Sequence, residues 1–174
     1  MEKQKGFTLV ELVVVIIILG ILAVTAAPKF INMQSDAHAA TLKGMQGAIN
    51  GANVMVYGKA ALQGKTNSVT SESNGNGIDI GNDQTVQAAY GYTKATKDDL
   101  EKVLDVTFDE GTSPTDAGKN EWVIKADGTT AQIWQRGAPA DVVTGDTATV
   151  CKLTYTQATS VVSAATIVID TSGC

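Results

Sequence analysis

The sequence predicts an α+β fold: a long amino-terminal α-helix packed on a roughly four-stranded antiparallel sheet. Three observations carry that expectation. Residues 7–27 read FTLVELVVVIIILGILAVTAA, an almost wholly apolar run, and apolar residues continue beyond it at helical spacing. Two alternating segments flank the dipeptide Asp127-Gly128, a hairpin signal. Further β-branched stretches follow, and both cysteines, Cys151 and Cys174, lie in this late part of the chain.

At 174 residues the chain suits one domain with a short appended segment. Its formal net charge of -5 offers no surplus of Lys and Arg to neutralise phosphates, so no nucleic-acid partner is expected. Seventeen glycines against three prolines point to many turns and small-residue contacts.

Roughly twenty residues at about 1.5 Å each span the hydrocarbon core of a bilayer, and the first run is that long. Lys3 and Lys5 precede it, which keeps the short amino end cytoplasmic and sends the remainder outward. Glu11 interrupts the run. A carboxylate inside a spanning helix costs about 3 kcal/mol and usually has a partner. Cleavage after Gly6 would create a positive amine at Phe7, one helical turn from Glu11 or opposite the Glu11 of a neighbouring helix. Either pairing would offset the buried charge. The plainer alternative is a glutamate solvated at the membrane interface. An ordinary secretory signal cut near Val24-Thr25-Ala26 competes with the spanning-helix reading. Against it, the run is longer than such signals usually are, carries a glutamate, and would leave Pro28 beside the cut.

Pro28 predicts a kink or local melting around residues 25–30, with Gly20 a second weak point. From Phe30 to about Val56 the pattern is amphipathic, and Leu42, Met45, Ile49, Ala52 and Val56 share one face. Ala40, Gly44, Gly47, Ala48 and Gly51 would allow close backbone approach, to the sheet or to neighbouring subunits.

Residues 58–96 are rich in Gly, Asn, Ser and Thr, with Asn74-Gly75-Asn76-Gly77 the clearest turn cluster. A long surface loop with little regular structure is expected there. Thr96 followed by Asp99 predicts a capped short helix over 97–104. Strands are expected at 121–126, 129–135, 150–156 and 166–170. In that register Trp122, Ile124 and Ala126 share a helix-facing side with Thr129, Ala131 and Ile133. In an exported chain Cys151 and Cys174 read as a disulfide in an oxidising compartment. Such a link stabilises by about 3 kcal/mol in the chain-entropy model. The alternative is two unrelated buried thiols.

No pattern supports catalysis, and neither a cofactor nor a metal is expected. Gly58 to Thr66 is only loosely like a phosphate-binding loop: Lys59 stands where Gly is needed, and a helix rather than a strand precedes it. His38, the sole histidine, reads as a surface or packing residue on a helix. Asp79, Asn82 and Asp83 lack the spacing of an EF-hand calcium loop.

The stretch Lys5-Gly6-Phe7-Thr8-Leu9-Val10-Glu11-Leu12, with the apolar helix behind it, resembles the prepilin leader and amino-terminal helix of type IV pilins. The short leader and the phenylalanine start resemble class IVa. The resemblance implies a leader over 1–6, cut between Gly6 and Phe7 by a prepilin peptidase that also methylates the new amine of Phe7. It implies pairing of Glu11 with the amine of an adjacent subunit during fibre assembly. It further implies a helix over 7–57, of which 7–27 is transmembrane or fibre core and 28–57 amphipathic, and a globular head over 58–174. The implied partners are other copies in a homo-oligomeric helical filament, an assembly ATPase, a platform protein and a secretin. The precursor would lie in the inner membrane and the fibre on the cell surface, for adhesion to surface glycans or abiotic surfaces. Residues 26–30 and 44–49 are similar to pilins of the mannose-sensitive haemagglutinin (MSHA) class. Type II secretion pseudopilins share leader and glutamate and form the alternative. Major pseudopilins often lack a carboxyl-terminal disulfide and use calcium, so the cysteine pair favours a pilus.

Overall fold

The computed structural model describes residues 6–70, 76–144 and 147–174, without the side chains of residues 27, 28, 31 and 32. It divides into two compact units, Met1–Ala37 and His38–Cys174. Residues 1–5 of the expected leader, and Asn74 and Gly75 of the expected turn cluster, lie outside the described part.

In the first unit the described secondary structure is helical. Helix α1 (Leu9–Leu62) begins there, after Thr8. The kink expected at Pro28 falls at a position whose side chain lies outside the described ones, and the helical assignment continues through it.

The part of α1 in the second unit buries the face that its periodicity marks: Leu42, Met45, Ile49, Ala52 and Val56. It ends later than the composition shift at Gly58 suggests. Ala60 is buried too, and the helix stops in a Schellman turn. Gly64 takes φ 69°, the Lys65 N–H reaches Ala60 O at 2.8 Å, and the Gly64 N–H reaches Ala61 O at 3.1 Å.

The stretch expected as a structureless loop holds two hairpins. β1 (Ile78–Gly81) pairs with β2 (Gln84–Val86), and β3 (Ala88–Ala89) with β4 (Tyr92–Thr93). Both loops have two residues at positive φ, Asn82-Asp83 and Tyr90-Gly91, as type I′ hairpin turns require. Ile78, Val86 and Ala88 close over Val56 and Ala60, which is why the helix is extended to meet them. Strands of two to four residues are too short to show an alternating pattern.

α2 (Lys97–Leu104) forms as predicted. Thr96 caps it in extended geometry, its Oγ1 accepting the Asp99 N–H at 3.3 Å, while Thr96 Oγ1–H donates to Asp99 Oδ2.

The main sheet follows. β5 (Phe108–Glu110), β6 (Trp122–Asp127) and β7 (Thr130–Gln135) come first. A separate hairpin of β8 (Val142–Thr144) and β9 (Thr147–Thr149) intervenes before β10 (Lys152–Thr156) and β11 (Thr166–Asp170). The order is β11-β10-β7-β6-β5, five strands where about four were expected, all antiparallel except the β5–β6 pair. Asp127 pairs with Thr130, so the hairpin loop is Gly128-Thr129 rather than Asp127-Gly128. Gly128 at φ 62° stands first in it, the order of a type II′ turn. Thr129 therefore leaves the strand. Ile124 faces Ile133, Ala126 faces Ala131, and Ala126 is exposed beside the turn instead of reaching the helix face.

Leu42, Met45 and Ile49 of α1 pack with Trp122, Ile124, Ala131, Ile133, Leu153 and Tyr155 of the sheet in one core. Each fully buried Leu, Ile or Met side chain contributes about 1.5–3 kcal/mol. Asn53 Oδ1 accepts the Thr93 N–H at 3.2 Å and the Tyr155 hydroxyl at 3.3 Å, and that hydroxyl also reaches Thr93 O at 2.5 Å. These polar groups join helix, hairpin and sheet inside the core, and burial raises the Tyr155 phenol above its ordinary pKa. Cys151 and Cys174 are bonded, S–S 2.13 Å with Cα atoms 4.7 Å apart across 23 residues. The Gly173 N–H meets Val150 O at 2.9 Å, and a Cβ on Gly173 would lie 2.7 Å from Val150 N, so only glycine lets the tail close there.

Candidate assembly interface

The amino-terminal unit places its polar chemistry at the start of α1. A helix leaves its first four N–H groups without intrahelical partners, and here Thr8 and Glu11 satisfy two of them reciprocally. The Thr8 N–H and Oγ1–H each donate to Glu11 Oε2 at 2.8 Å, and the Glu11 N–H returns to Thr8 Oγ1 at 3.3 Å. This is a capping box. Its signature, Thr-x-x-Glu, is plain in the sequence, yet reading Glu11 only as a charge needing an amine misses Thr8.

Gly6 and Phe7 precede the helix and are exposed, Phe7 at 86%. In this chain the Phe7 nitrogen belongs to a peptide bond, and Glu11 is engaged by Thr8. Behind it, Leu9–Ala26 has mean hydropathy 3.0 over 18 residues, none of it buried within the chain. By length and composition it can cross a membrane. Thr25 Oγ1 donates to the carbonyls of Ile21 and Leu22 at 3.3 and 3.1 Å, which hides the one hydroxyl of its last turn.

In the second unit the face of α1 turned away from the sheet exposes Val54 and Met55 beside Gly44, Gly47, Gly51 and Gly58, with open space above each glycine. His38 is half-buried. Its Nδ1 lies 2.8 Å from Gln135 Oε1, which also accepts the Thr41 hydroxyl at 2.6 Å, so His38 donates and pins the helix to β7. That is a packing role.

Arg136 organises the loop between β5 and β6, a part the sequence does not single out. Its Nε donates to Asn120 O at 2.6 Å, Nη1 to Asp116 O, and Nη2 to Asp109 Oδ2 at 2.6 Å. The Asn120 N–H, the Lys119 N–H and the guanidinium hold the Asp109 carboxyl below its ordinary pKa. The Thr112 and Ser113 N–H groups do the same for Asp116. A Cβ on Gly118 would overlap both Asp109 and Arg136.

Two surface clefts accompany these features. One of about 360 Å³ is lined by Lys97, Glu110 and Lys125, and one of about 460 Å³ by Asn50, Asn53, Tyr57 and Tyr92. Neither joins a nucleophile to a base. Among the described residues no three His, Cys, Asp or Glu side chains gather to hold a metal ion. Asp79 Oδ1 accepts the Gly81 N–H in the β1–β2 hairpin, whose turn residues are Asn82 and Asp83.

Residues 1–27 match the family described as the prokaryotic N-terminal methylation motif. Over 63 residues the chain is 38% identical to the type IV narrow pilus major component PilA5 of Thermus thermophilus, covering 36% of this chain and 51% of that one. Over 81 residues it is 37% identical to the type IV major alpha-pilin of Moraxella bovis, covering 47% and 48%. The chain thus spans about half the length of these curated relatives. No solved structure gives a significant match.

Proposed function

We propose that this chain is a structural subunit of a type IV pilus, of the MSHA-like class, which polymerises through its amino-terminal helix into an extracellular adhesive fibre. The observation that carries the reading is the amino-terminal design. A methylation-motif match over residues 1–27 coincides with a Glu11 carboxylate at the head of an 18-residue apolar stretch left wholly uncovered. An uncovered apolar helix must be buried in lipid or against other helices. Pilin relatives are structural subunits and not enzymes, and the reading needs no cofactor.

On this reading a prepilin peptidase cuts between Gly6 and Phe7 and methylates Phe7. Residues 7–27 hold the precursor in the inner membrane until an assembly ATPase and platform protein move it into the filament, which leaves through a secretin. Glu11 then pairs with the amine of a neighbouring subunit. Surface glycans or abiotic surfaces are what the fibre would touch.

The test is intact mass and amino-terminal sequencing of protein sheared from the cell surface. The expected product starts at N-methylated Phe7, is abundant in that fraction, and is two hydrogens light for the disulfide. The same product confined to the inner membrane would favour a type II secretion pseudopilin, and a start near Ala27 would refute both.

A further inference from the structure

Among the described residues the second unit contains a strand pair that lacks a sheet and a sheet edge that lacks a strand. β8 and β9 form a two-stranded hairpin that joins no other described strand, and every described residue in it is exposed. Val142 and Val143 are 55% and 72% exposed. A lone hairpin is marginal in water and needs a third strand or a packed face to become stable. Its root is nevertheless anchored. Asp141 accepts the Trp134 indole N–H at 3.2 Å and the Lys152 ammonium at 2.7 Å, and Val150 on the other side is buried. The root is held while the ribbon is presented.

The open edge is β11. It is the outermost strand of the five and, among the described residues, pairs with β10 on one side only. Apart from the terminal Asp170, its sequence Thr-Ile-Val-Ile-Asp lacks the devices that normally protect an edge: it has no lysine, no proline and no bulge in its register. Val168 is 62% exposed. Among the described residues one side chain reaches its backbone carbonyls from outside the sheet, Gln46 Nε2 on Ile167 O at a long 3.5 Å.

We infer that in the fibre the β8–β9 hairpin of one subunit docks along β11 of another copy of this chain and extends its sheet. Strands β8, β9 and β11 are short, rich in β-branched residues and uncharged except for Asp170 at the end of β11, and the connection between β8 and β9 carries Asp146. Strand addition draws its affinity from main-chain hydrogen bonds, which tolerate so plain a sequence. Donor and acceptor surfaces differ, so the contact is heterologous. Repeated from copy to copy without closing, it builds an open filament rather than a dimer. Three residues a side supply about two or three hydrogen bonds, weak alone but repeated along a filament already held by its helices. The inference rests on the pilus-subunit reading.

The test places the photo-crosslinking residue p-benzoylphenylalanine at Val143 in the full chain, irradiates sheared fibres and maps the linked peptides. Links from position 143 of one chain to 166–170 of another are expected. Val143→Lys and Val168→Lys should each lower fibre yield, by about tenfold if the repeated contact acts cooperatively, with monomer melting unchanged. Links mapping elsewhere, or wild-type fibre yield from both lysine variants, would overturn the inference and leave the pilus reading standing. If the wild-type chain forms no fibre, premise and inference fall together.

Discussion

Glu11 Oε2 receives two hydrogen bonds from Thr8, from the backbone N–H and from Oγ1–H, each at 2.8 Å. The carboxylate at the head of the apolar helix therefore has a local partner while the Phe7 nitrogen is part of a peptide bond. Pairing with a neighbouring subunit would have to add to this cap or draw the carboxylate out of it.

Thr8→Val keeps the side-chain shape and removes the hydroxyl, whereas Thr8→Ser keeps the hydroxyl. The valine variant should weaken the helix start by about 1 kcal/mol, seen as faster amide exchange at residues 9–12 in micelles. Its fibre yield should fall below that of the serine variant. Equal exchange in the two variants would show that the hydroxyl does not hold the helix end.

Glu11→Ala should sharply reduce assembled fibre while cleavage between Gly6 and Phe7 continues. The check is amino-terminal sequencing of the membrane fraction beside a count of sheared pilin. Abundant fibre from this variant would remove charge pairing as the assembly step.

Cys151 and Cys174 close a segment of 23 residues around β10 and β11. Replacing both by serine should lower stability by about 3 kcal/mol in urea titration. An unchanged midpoint would mean that the β10–β11 ladder and the Gly173–Val150 hydrogen bond hold the tail unaided.

Arg136 ties two carbonyls and one carboxylate of the β5–β6 connection. Arg136→Ala should free that connection, and trypsin should cut after Lys119 faster than in the parent. Resistance equal to the parent's would show that the turn hydrogen bonds suffice.

Acid should act on the same connection. Asp109 and Asp116 are both lowered by N–H donors, Asn120 first for the former and Thr112 first for the latter. A carboxyl lowered in the folded state contributes its full stability above the unfolded value of about 3.9 and loses it as pH falls through the lower folded value. Stability from these two groups should hold steady above about pH 5 and decline below about pH 4. Asp109→Asn should flatten part of that decline in thermal melts, and an unaltered slope would contradict the assignment.

Local patterns were readable where one element carries its own signal. The buried helical face from Leu42 to Val56, the Thr96 cap and the strands near 122–127 and 152–156 follow from periodicity and capping alone. The helix end at Gly64 and the Thr8 partner of Glu11 were missed, although both stand in known local motifs. Residues 78–93 were harder, because two-residue pairings in tight turns leave too few positions to alternate.

By itself the sequence determined the apolar amino-terminal helix and the α+β plan, since each is written in neighbouring residues and in periods of 3.6 or 2. Tertiary structure alone decided that β5 joins β6 in parallel, that Gly128-Thr129 forms the turn, and that Arg136 gathers the 111–121 loop. It also left β11 open and β8–β9 without a sheet. Those outcomes rest on which distant residues meet, and that is settled by packing against the common core rather than by any local preference.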